Sequence, residues 1–209
     1  FILFNLLSNM VSEEFMVKNI LRLDASMRKT GSYSRDLSDK LIKQLAGKNQ
    51  SKITIRDLAN GIPFIDEHWI KANFTAAEER TSKQHKCLET SDVLVNELID
   101  ADLLVIGLPI YNFGVPAVFK AWIDQVVRSK LTFRYGDNGP VGLVNNIKAY
   151  IIIVSGGTKI DSDLDFISNY LRHVLNFIGI TNVSFIDSSG LGRDEDQTLA
   201  HANNLIAQI

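Results

Sequence analysis

The sequence has almost no cysteine, since Cys87 is the only one among its 209 residues. One thiol excludes an intrachain disulfide and a thiolate metal cluster, so the fold needs no oxidising compartment. No run of about 18 uninterrupted apolar residues occurs either, which excludes a membrane-spanning helix. We therefore expect a cytoplasmic protein that has no membrane partner and no metal site.

The sequence also lacks an excess of charge of one sign. Its 22 Lys and Arg residues stand against 24 Asp and Glu residues, which gives a net charge of −2 at pH 7. Nucleic-acid binding usually requires a basic surface, so we expect no nucleic-acid partner. Hydrophobic residues make up 45% of the chain and charged residues 22%, close to the averages of globular domains that bury a core.

The length of the chain and the absence of dividing segments favour one domain. No internal repeat, low-complexity tract or Gly/Ser linker interrupts it. Residues 1–15, FILFNLLSNMVSEEF, begin with an apolar stretch, but they have no preceding basic residue and no small-residue cleavage pattern, so they make a poor signal peptide. We predict that residues 1–15 are a disordered extension and that residues 16–209 form a single domain.

Short apolar segments alternate with helical patterns along the chain. Continuous apolarity is typical of strands that are covered on both faces, and the intervening segments are long enough for crossover helices. The predicted strands are 19–23, 53–56, 103–108, 149–154 and 183–186. The predicted helices are 34–45, with Ser34 as its N-cap, 90–99, 116–127, 166–178 and 194–209.

Right-handed connections between these elements give a doubly wound α/β domain of the flavodoxin-like kind, with a five-stranded parallel sheet in the order 2-1-3-4-5 and helices on both faces. Two long stretches, 60–76 and 129–147, carry no predicted element, and loops of that length more often have a function or form an interface than have neither role. In such a sheet, ligands bind beyond the carboxyl ends of the strands where the strand order reverses. The loops after strands one, three and four converge there.

The first of these loops, 24–34, reads D-A-S-M-R-K-T-G-S-Y-S and leads directly into a helix. Backbone N–H groups and the positive end of the helix dipole attract an anion, and the serine hydroxyls add small neutral donors. The loop is neither a Walker A sequence for a triphosphate nor a G-x-G-x-x-G sequence for a dinucleotide. It predicts a mononucleotide phosphate site, with an ordinary N-cap and solvated serines as the alternative. Arg28 and Lys29 are expected to be surface charges, with an approach to the phosphate as the alternative.

The other two loops suit a flat ligand. The loop P-I-Y-N-F-G-V-P, 109–116, places two aromatic side chains and an amide between prolines, which suits a planar heteroaromatic ring. The loop S-G-G-T-K-I-D, 155–161, has two glycines directly after a buried strand, where backbone N–H groups can lie against a ligand edge. In isolation, two such glycines are more often only a turn.

Together these motifs resemble the FMN-dependent NAD(P)H azoreductase and quinone reductase family, whose members are flavodoxin-like homodimers. The resemblance runs from about residue 18 to the C-terminus. The motifs that carry it are S-x5-S-x-S at 26–34, P-I-Y-N-F at 109–113, T-F-R-Y-x-x-N-G-P-x-G-L at 132–143, S-G-G at 155–157 and F-I-G-I at 177–180.

The resemblance implies that FMN is the cofactor and that its N5 atom carries the chemistry, with no catalytic acid or base from the protein. It implies a ping-pong transfer of two electrons from NADH or NADPH to a quinone or an aromatic azo compound, in a homodimer with FMN sites at the interface. The residues implied to bind FMN are Ser26, Ser32, Tyr33, Ser34, Pro109, Ile110, Tyr111, Asn112, Phe113, Ser155, Gly156, Gly157 and Thr158. Tyr135 and Phe177 are implied to wall the substrate side, with Phe177 contributed by the second subunit; a core position on its own helix is the alternative for Phe177.

The chain departs from the family pattern at the glycine loop. Members often have Arg within this loop and His shortly after it, whereas S-G-G-T-K has neither, so we expect a different acceptor range and pH dependence. The alternative function is a flavodoxin-type electron carrier without NAD(P)H oxidation, but such carriers are strongly acidic and the isoelectric point here is about 6.1. A magnesium-binding signalling domain on this sheet would need clustered acids at the strand ends, where we expect Asp24 to have no neighbouring acid.

Overall fold

The computed structural model describes residues 19–47 and 51–209, so the predicted extension at residues 1–15 lies outside the described residues. The strands of this part of the chain are β1 (Asn19–Asp24), β2 (Lys52–Asp57), β3 (Leu103–Pro109), β4 (Phe133–Gly136), β5 (Gly139–Gly142), β6 (Lys148–Ser155) and β7 (Asn182–Ser189). The helices are α1 (Tyr33–Ala46), α2 (Glu67–Phe74), α3 (Ser82–Ile99), α4 (Ala117–Val126), α5 (Ser168–Ile178) and α6 (Glu195–Ala207), with short 3₁₀ turns at Leu58–Asn60 and Ala77–Glu79.

Five of the strands form one sheet in the order β2-β1-β3-β6-β7, and every neighbouring pair is parallel. The predicted order 2-1-3-4-5 is therefore confirmed when the strands of this sheet are counted alone. All residues of β3 are buried, whereas every residue of the edge strand β2 is at least partly exposed. The order reverses between β1 and β3, which places the carboxyl ends of these two strands side by side.

Helices cover both faces of the sheet. Because alternate residues of each strand point to opposite faces, each strand contributes to two cores. On one face, Leu21 and Leu23 of β1 pack in a core with residues of α3, α4 and α5. On the other face, Ile20 of β1 and Val105 of β3 pack in a core with residues of α1 and α6. Within the described residues, no helix is both long and apolar enough to cross a membrane.

Three predictions about the helices and loops were wrong. Helix α1 begins at Tyr33 and its N-cap is Ser32, not Ser34. Helix α3 begins at Ser82, two turns before the predicted start at residue 90, because Thr81 and Gln84 form a capping box ahead of a polar first turn. The stretches 60–76 and 129–147 are not irregular throughout, since the first contains α2 and the second contains the antiparallel hairpin β4–β5.

Candidate cofactor-binding site

A cleft of about 340 Å³ opens at the carboxyl edge of the sheet, beside the reversal of strand order. The loops after β1, β3 and β6 contribute to it as predicted, and a segment after β7 joins them. Its lining residues are Ser26, Arg28, Gly31, Ser32, Tyr33, Ser34, Pro109, Ile110, Tyr111, Val154, Ser155, Gly156, Leu191, Gly192 and Glu195.

The structure thus brings together most of the residues predicted to bind FMN. Four of the predicted residues, Asn112, Phe113, Gly157 and Thr158, do not line this cleft. Gly157 lines a neighbouring cavity of about 390 Å³ instead. Arg28 is exposed, as expected, and it also contributes to the lining of the cleft.

The serine loop after β1 has the geometry of an anion site. Ser32 is the N-cap residue of α1, yet its side chain makes no capping hydrogen bond, and its Oγ lies 3.3 Å from the Oγ of Ser34. The backbone N–H of Arg28 donates to the Oγ of Ser26 at 3.2 Å. All three serines are buried. The first turn of α1 therefore keeps N–H groups without a side-chain cap beside small hydroxyl donors, and these residues fit the phosphate of FMN.

The aromatic loop after β3 forms a tight turn in a strained conformation. Tyr111 and Gly114 exchange both backbone hydrogen bonds, at 3.1 and 3.0 Å. Between them, Asn112 has φ of 50° and Phe113 has φ of 62°, a left-handed conformation that costs about 1–2 kcal/mol per residue without a glycine. The Tyr111 hydroxyl accepts a hydrogen bond from the Met27 N–H at 3.2 Å, so this turn is tied to the serine loop across the cleft.

The glycine loop after β6 is fixed by the segment after β7. The Ser155 Oγ donates to the carbonyl of Thr158 at 2.7 Å, and the Ser155 carbonyl accepts from the N–H of Gly190 at 3.0 Å. The Gly192 N–H donates to the Gly156 carbonyl at 2.9 Å, and a Cβ on Gly192 would lie 3.0 Å from that same oxygen. The sequence G-L-G at 190–192 is the signal that could have predicted this fourth segment.

One carboxylate, that of Glu195, lines the cleft. Glu195, in the first turn of α6, accepts a hydrogen bond from the Tyr33 hydroxyl, and this bond raises the pKa of Tyr33. Burial and the Glu195 charge raise that pKa further. Tyr33 and Glu195 thereby link the beginnings of α1 and α6 at the cleft.

A buried charge cluster lies next to the serine loop. Asp24 and Asp57 are register partners at the ends of β1 and β2, so the prediction that Asp24 has no neighbouring acid was wrong. Arg35 binds both carboxylates, at 3.3 Å to Asp24 and 2.7 Å to Asp57. Burial raises the pKa of Asp24 in spite of Arg22 and Arg35. Burial also opposes ionisation of Asp57, but the hydrogen bonds from Arg35 and the Ala59 N–H, together with the charges of Arg35 and Lys29, outweigh it and lower the pKa of Asp57.

This cluster does not have the composition of a metal site. Its carboxylates form ion pairs with two arginines, Arg22 and Arg35, whose positive charges would repel a metal cation. Among the residues that the structure describes, no group of three or more His, Cys, Asp or Glu side chains is arranged to hold a metal ion.

Tyr135 and Phe177 lie apart from the cleft of their own chain. Both contact Phe133, with ring centroids 5.5 Å from Phe133 to Tyr135 and 4.6 Å from Phe133 to Phe177. Tyr135 is 74% exposed, whereas Phe177 is half-buried against the core. The hairpin β4–β5 and the end of α5 therefore present one aromatic cluster, Phe133, Tyr135 and Phe177.

Comparison with known proteins agrees with this architecture. A family model described as a flavodoxin-like fold matches residues 18–209. A protein of Colwellia psychrerythraea (strain 34H) named FMN-dependent NADH:quinone oxidoreductase 1 is 73% identical over 191 residues, which are 91% of this chain and 100% of the relative. One of the same name from Jannaschia sp. (strain CCS1) is 52% identical over 85% of this chain and 91% of its own length.

A solved structure shares the fold. It is an FMN-dependent NADH-azoreductase from Bacillus anthracis (strain Ames Ancestor) in complex with FMN, and it aligns with a TM-score of 0.82 at 24% identity over 91% of this chain and 96% of its own. The resemblance seen in the motifs is thus confirmed, and the chain belongs to the flavodoxin-like family of FMN-dependent NADH:quinone oxidoreductases, which are enzymes.

Proposed function

We propose that residues 16–209 form one FMN-binding domain that transfers two electrons from NADH to quinones. The observation that carries the proposal is the serine loop: buried hydroxyls and an uncapped helix start at the reversal of strand order, in a chain 73% identical to a named FMN-dependent NADH:quinone oxidoreductase. The proposed location is the cytoplasm, where NADH is available as a reductant.

In this proposal the three loops divide the work of holding the cofactor. Ser26, Ser32 and Ser34 donate to the phosphate together with the first N–H groups of α1. The turn at Tyr111 would hold one side of the ring, and the backbone at Ser155–Gly156 would hold its edge. When bound, FMN would supply two-electron redox chemistry between NADH and the acceptor. Backbone N–H groups near the ring stabilise the added negative charge, so no acid or base side chain is required.

The substrate side requires a second subunit in this account. Tyr135 is largely exposed and Phe177 half-buried, and neither lines the cleft of its own chain. Phe113, at the tip of the turn after β3, is 58% exposed as well. We propose a homodimer in which the aromatic cluster of one protomer covers the cleft of its partner. Flat substrates then stack between the ring and these side chains, which is compatible with quinones and aromatic azo compounds, and with either NADH or NADPH as donor.

Steady-state kinetics test the reaction. NADH and a benzoquinone are varied together, and ping-pong transfer predicts parallel lines in double-reciprocal plots, since the donor leaves before the acceptor binds. Intersecting lines would show a ternary complex and contradict the ping-pong order. FMN binding without NADH or NADPH oxidation would instead identify an electron carrier.

Titration of the apo-protein with FMN tests the site. The double substitution of Ser32 and Ser34 by Ala removes two donors and is expected to weaken FMN binding by at least about tenfold. The matched control is Ser162→Ala, whose hydroxyl donates to the Lys159 carbonyl outside the cleft and whose loss leaves the affinity unchanged. Unaltered affinity in the double variant would contradict the assignment of the serine loop.

A further inference from the structure

The side chain of Arg35 makes hydrogen bonds to two strand ends and to the serine loop. From the first turn of α1, its guanidinium donates to the carboxylates of Asp24 and Asp57 at 3.3 and 2.7 Å. It also donates to the backbone carbonyls of Ser26, at 2.8 Å, and Arg28, at 2.9 Å. One planar group thus fixes β1, β2 and the loop that follows β1 to the start of α1.

Arg35 is held firmly but does not line the cleft itself. Its side chain is 14% exposed, and the cleft is lined by the residues that it holds, Ser26 and Arg28, rather than by Arg35. The Arg28 N–H in turn donates to the Ser26 hydroxyl. The two residues joined by this hydrogen bond are therefore the same two whose carbonyls accept hydrogen bonds from Arg35. Fixing these two carbonyls fixes the direction of the loop's N–H and hydroxyl groups.

The charge of Arg35 is already compensated. Arg22 and Arg35 both contact Asp24, Arg35 also contacts Asp57, and Arg22 contacts the largely exposed Asp39. The cluster therefore has no surplus of positive charge to attract a phosphate. A contribution of Arg35 to anion binding must then come from geometry.

We propose that Arg35 is a positioning residue for the FMN phosphate, acting through the shape of the serine loop and not through its charge. The inference rests on the proposed FMN site. A lysine at this position keeps the charge but has no planar fork with which to reach two carboxylates and two carbonyls at once. Arg35→Lys and Arg35→Met are therefore expected to behave alike.

The test uses two measurements on the full chain. In the apo-protein, amide hydrogen exchange over residues 26–32 is expected to be faster by about tenfold in both variants, while exchange in β6 stays at the wild-type rate. In titrations followed by flavin fluorescence, both variants are expected to bind FMN at least about tenfold more weakly than wild type, and within about twofold of each other.

Arg56→Lys is the matched control. Arg56 makes a two-bond contact with Glu97 of α3 and no contact with the serine loop, so its loss removes an arginine–carboxylate pair without disturbing that loop. It is expected to leave both readouts unchanged. If Arg35→Lys binds FMN like wild type while Arg35→Met does not, charge is the active property and the inference is overturned. Unchanged hydrogen exchange over residues 26–32 in the Arg35 variants also overturns it. If the wild-type chain does not bind FMN, the proposed function is wrong, and the hydrogen-exchange result alone then tests whether Arg35 positions the serine loop.

Discussion

Gly142, the last residue of β5, lies directly against the backbone of Gly179 at the end of α5. A Cβ on Gly142 would come within 2.2 Å of the Gly179 nitrogen, which leaves no room for any side chain. Gly179 ends α5 with φ of 108°, a conformation suited to glycine, and beside it the Val144 N–H donates to the Ile178 carbonyl at 2.9 Å. The contact between the backbones of Gly142 and Gly179 thus fixes the position of the hairpin that carries Tyr135 relative to α5.

Gly142→Ala is therefore expected to displace the hairpin. Overpacking against a backbone that cannot yield should lower the free energy of unfolding by about 2–3 kcal/mol and raise the KM for quinone. Denaturant unfolding and steady-state kinetics measure these two effects. The control is Gly136→Ala in the same hairpin, where the added methyl would meet the Val141 Cγ2 at 3.3 Å, a side-chain atom that can move. Equal losses in the two variants would contradict the account.

Gly107 of β3 allows α1 to approach the sheet close to the proposed phosphate site. A Cβ there would lie 2.8 Å from the Ser38 Oγ and 3.1 Å from the Ser34 carbonyl. Gly107→Ala is expected to push the start of α1 outward and to weaken FMN binding by about tenfold, measured by fluorescence titration. Adding Ser38→Ala removes the nearer contact and should restore part of the affinity. Wild-type affinity in Gly107→Ala alone would show that the position of α1 does not matter.

The pH dependence of stability depends on Asp57. Its pKa is lowered in the folded protein, so its ionised form contributes stability above the ordinary carboxyl pKa of about 4, and this is lost as the pH falls through the lowered pKa. Asp57→Asn can keep the hydrogen bond from the Ala59 N–H but loses the charge opposite Arg35. We expect it to be less stable than wild type by about 1–2 kcal/mol at pH 7, with the difference shrinking below about pH 4.

Denaturant unfolding at several pH values measures this difference, with the exposed Asp163→Asn as a control that stays within about 0.5 kcal/mol of wild type. A difference that persists unchanged into acid would mean that Asp57 acts through packing and not through its charge.

The centre of the sheet could be predicted from the sequence because β1, β3 and β6 are buried on both faces. Continuous apolar runs such as the one in β3 are easily recognised in the sequence. Because these runs alternate with helices, only a few sheet topologies are compatible with them. The hairpin β4–β5 escaped prediction because its strands are only four residues long and partly exposed, so neither run length nor alternation marks them. Helix α2 has only eight residues, half of them polar, and the capping residue Asp66 is its clearest signal in the sequence.

The candidate site was predictable where it follows the sheet. Serines, aromatics and glycines directly after β1, β3 and β6 must meet at one edge, because parallel strands end together. The role of Arg35 could not be predicted, since its partners come from the ends of two strands that only the folded register brings together. The position of Glu195 in the lining of the cleft could not be predicted either, because its partner Tyr33 lies far away along the chain, at the start of another helix.

The most direct test of the central claim is one anaerobic absorbance experiment on the FMN-loaded protein, with NADH added first and a benzoquinone second. The account predicts that the flavin absorption bleaches on addition of NADH and returns when the quinone is added, because both half-reactions use the same cleft. Flavin that stays oxidised in the presence of both NADH and NADPH would contradict the account.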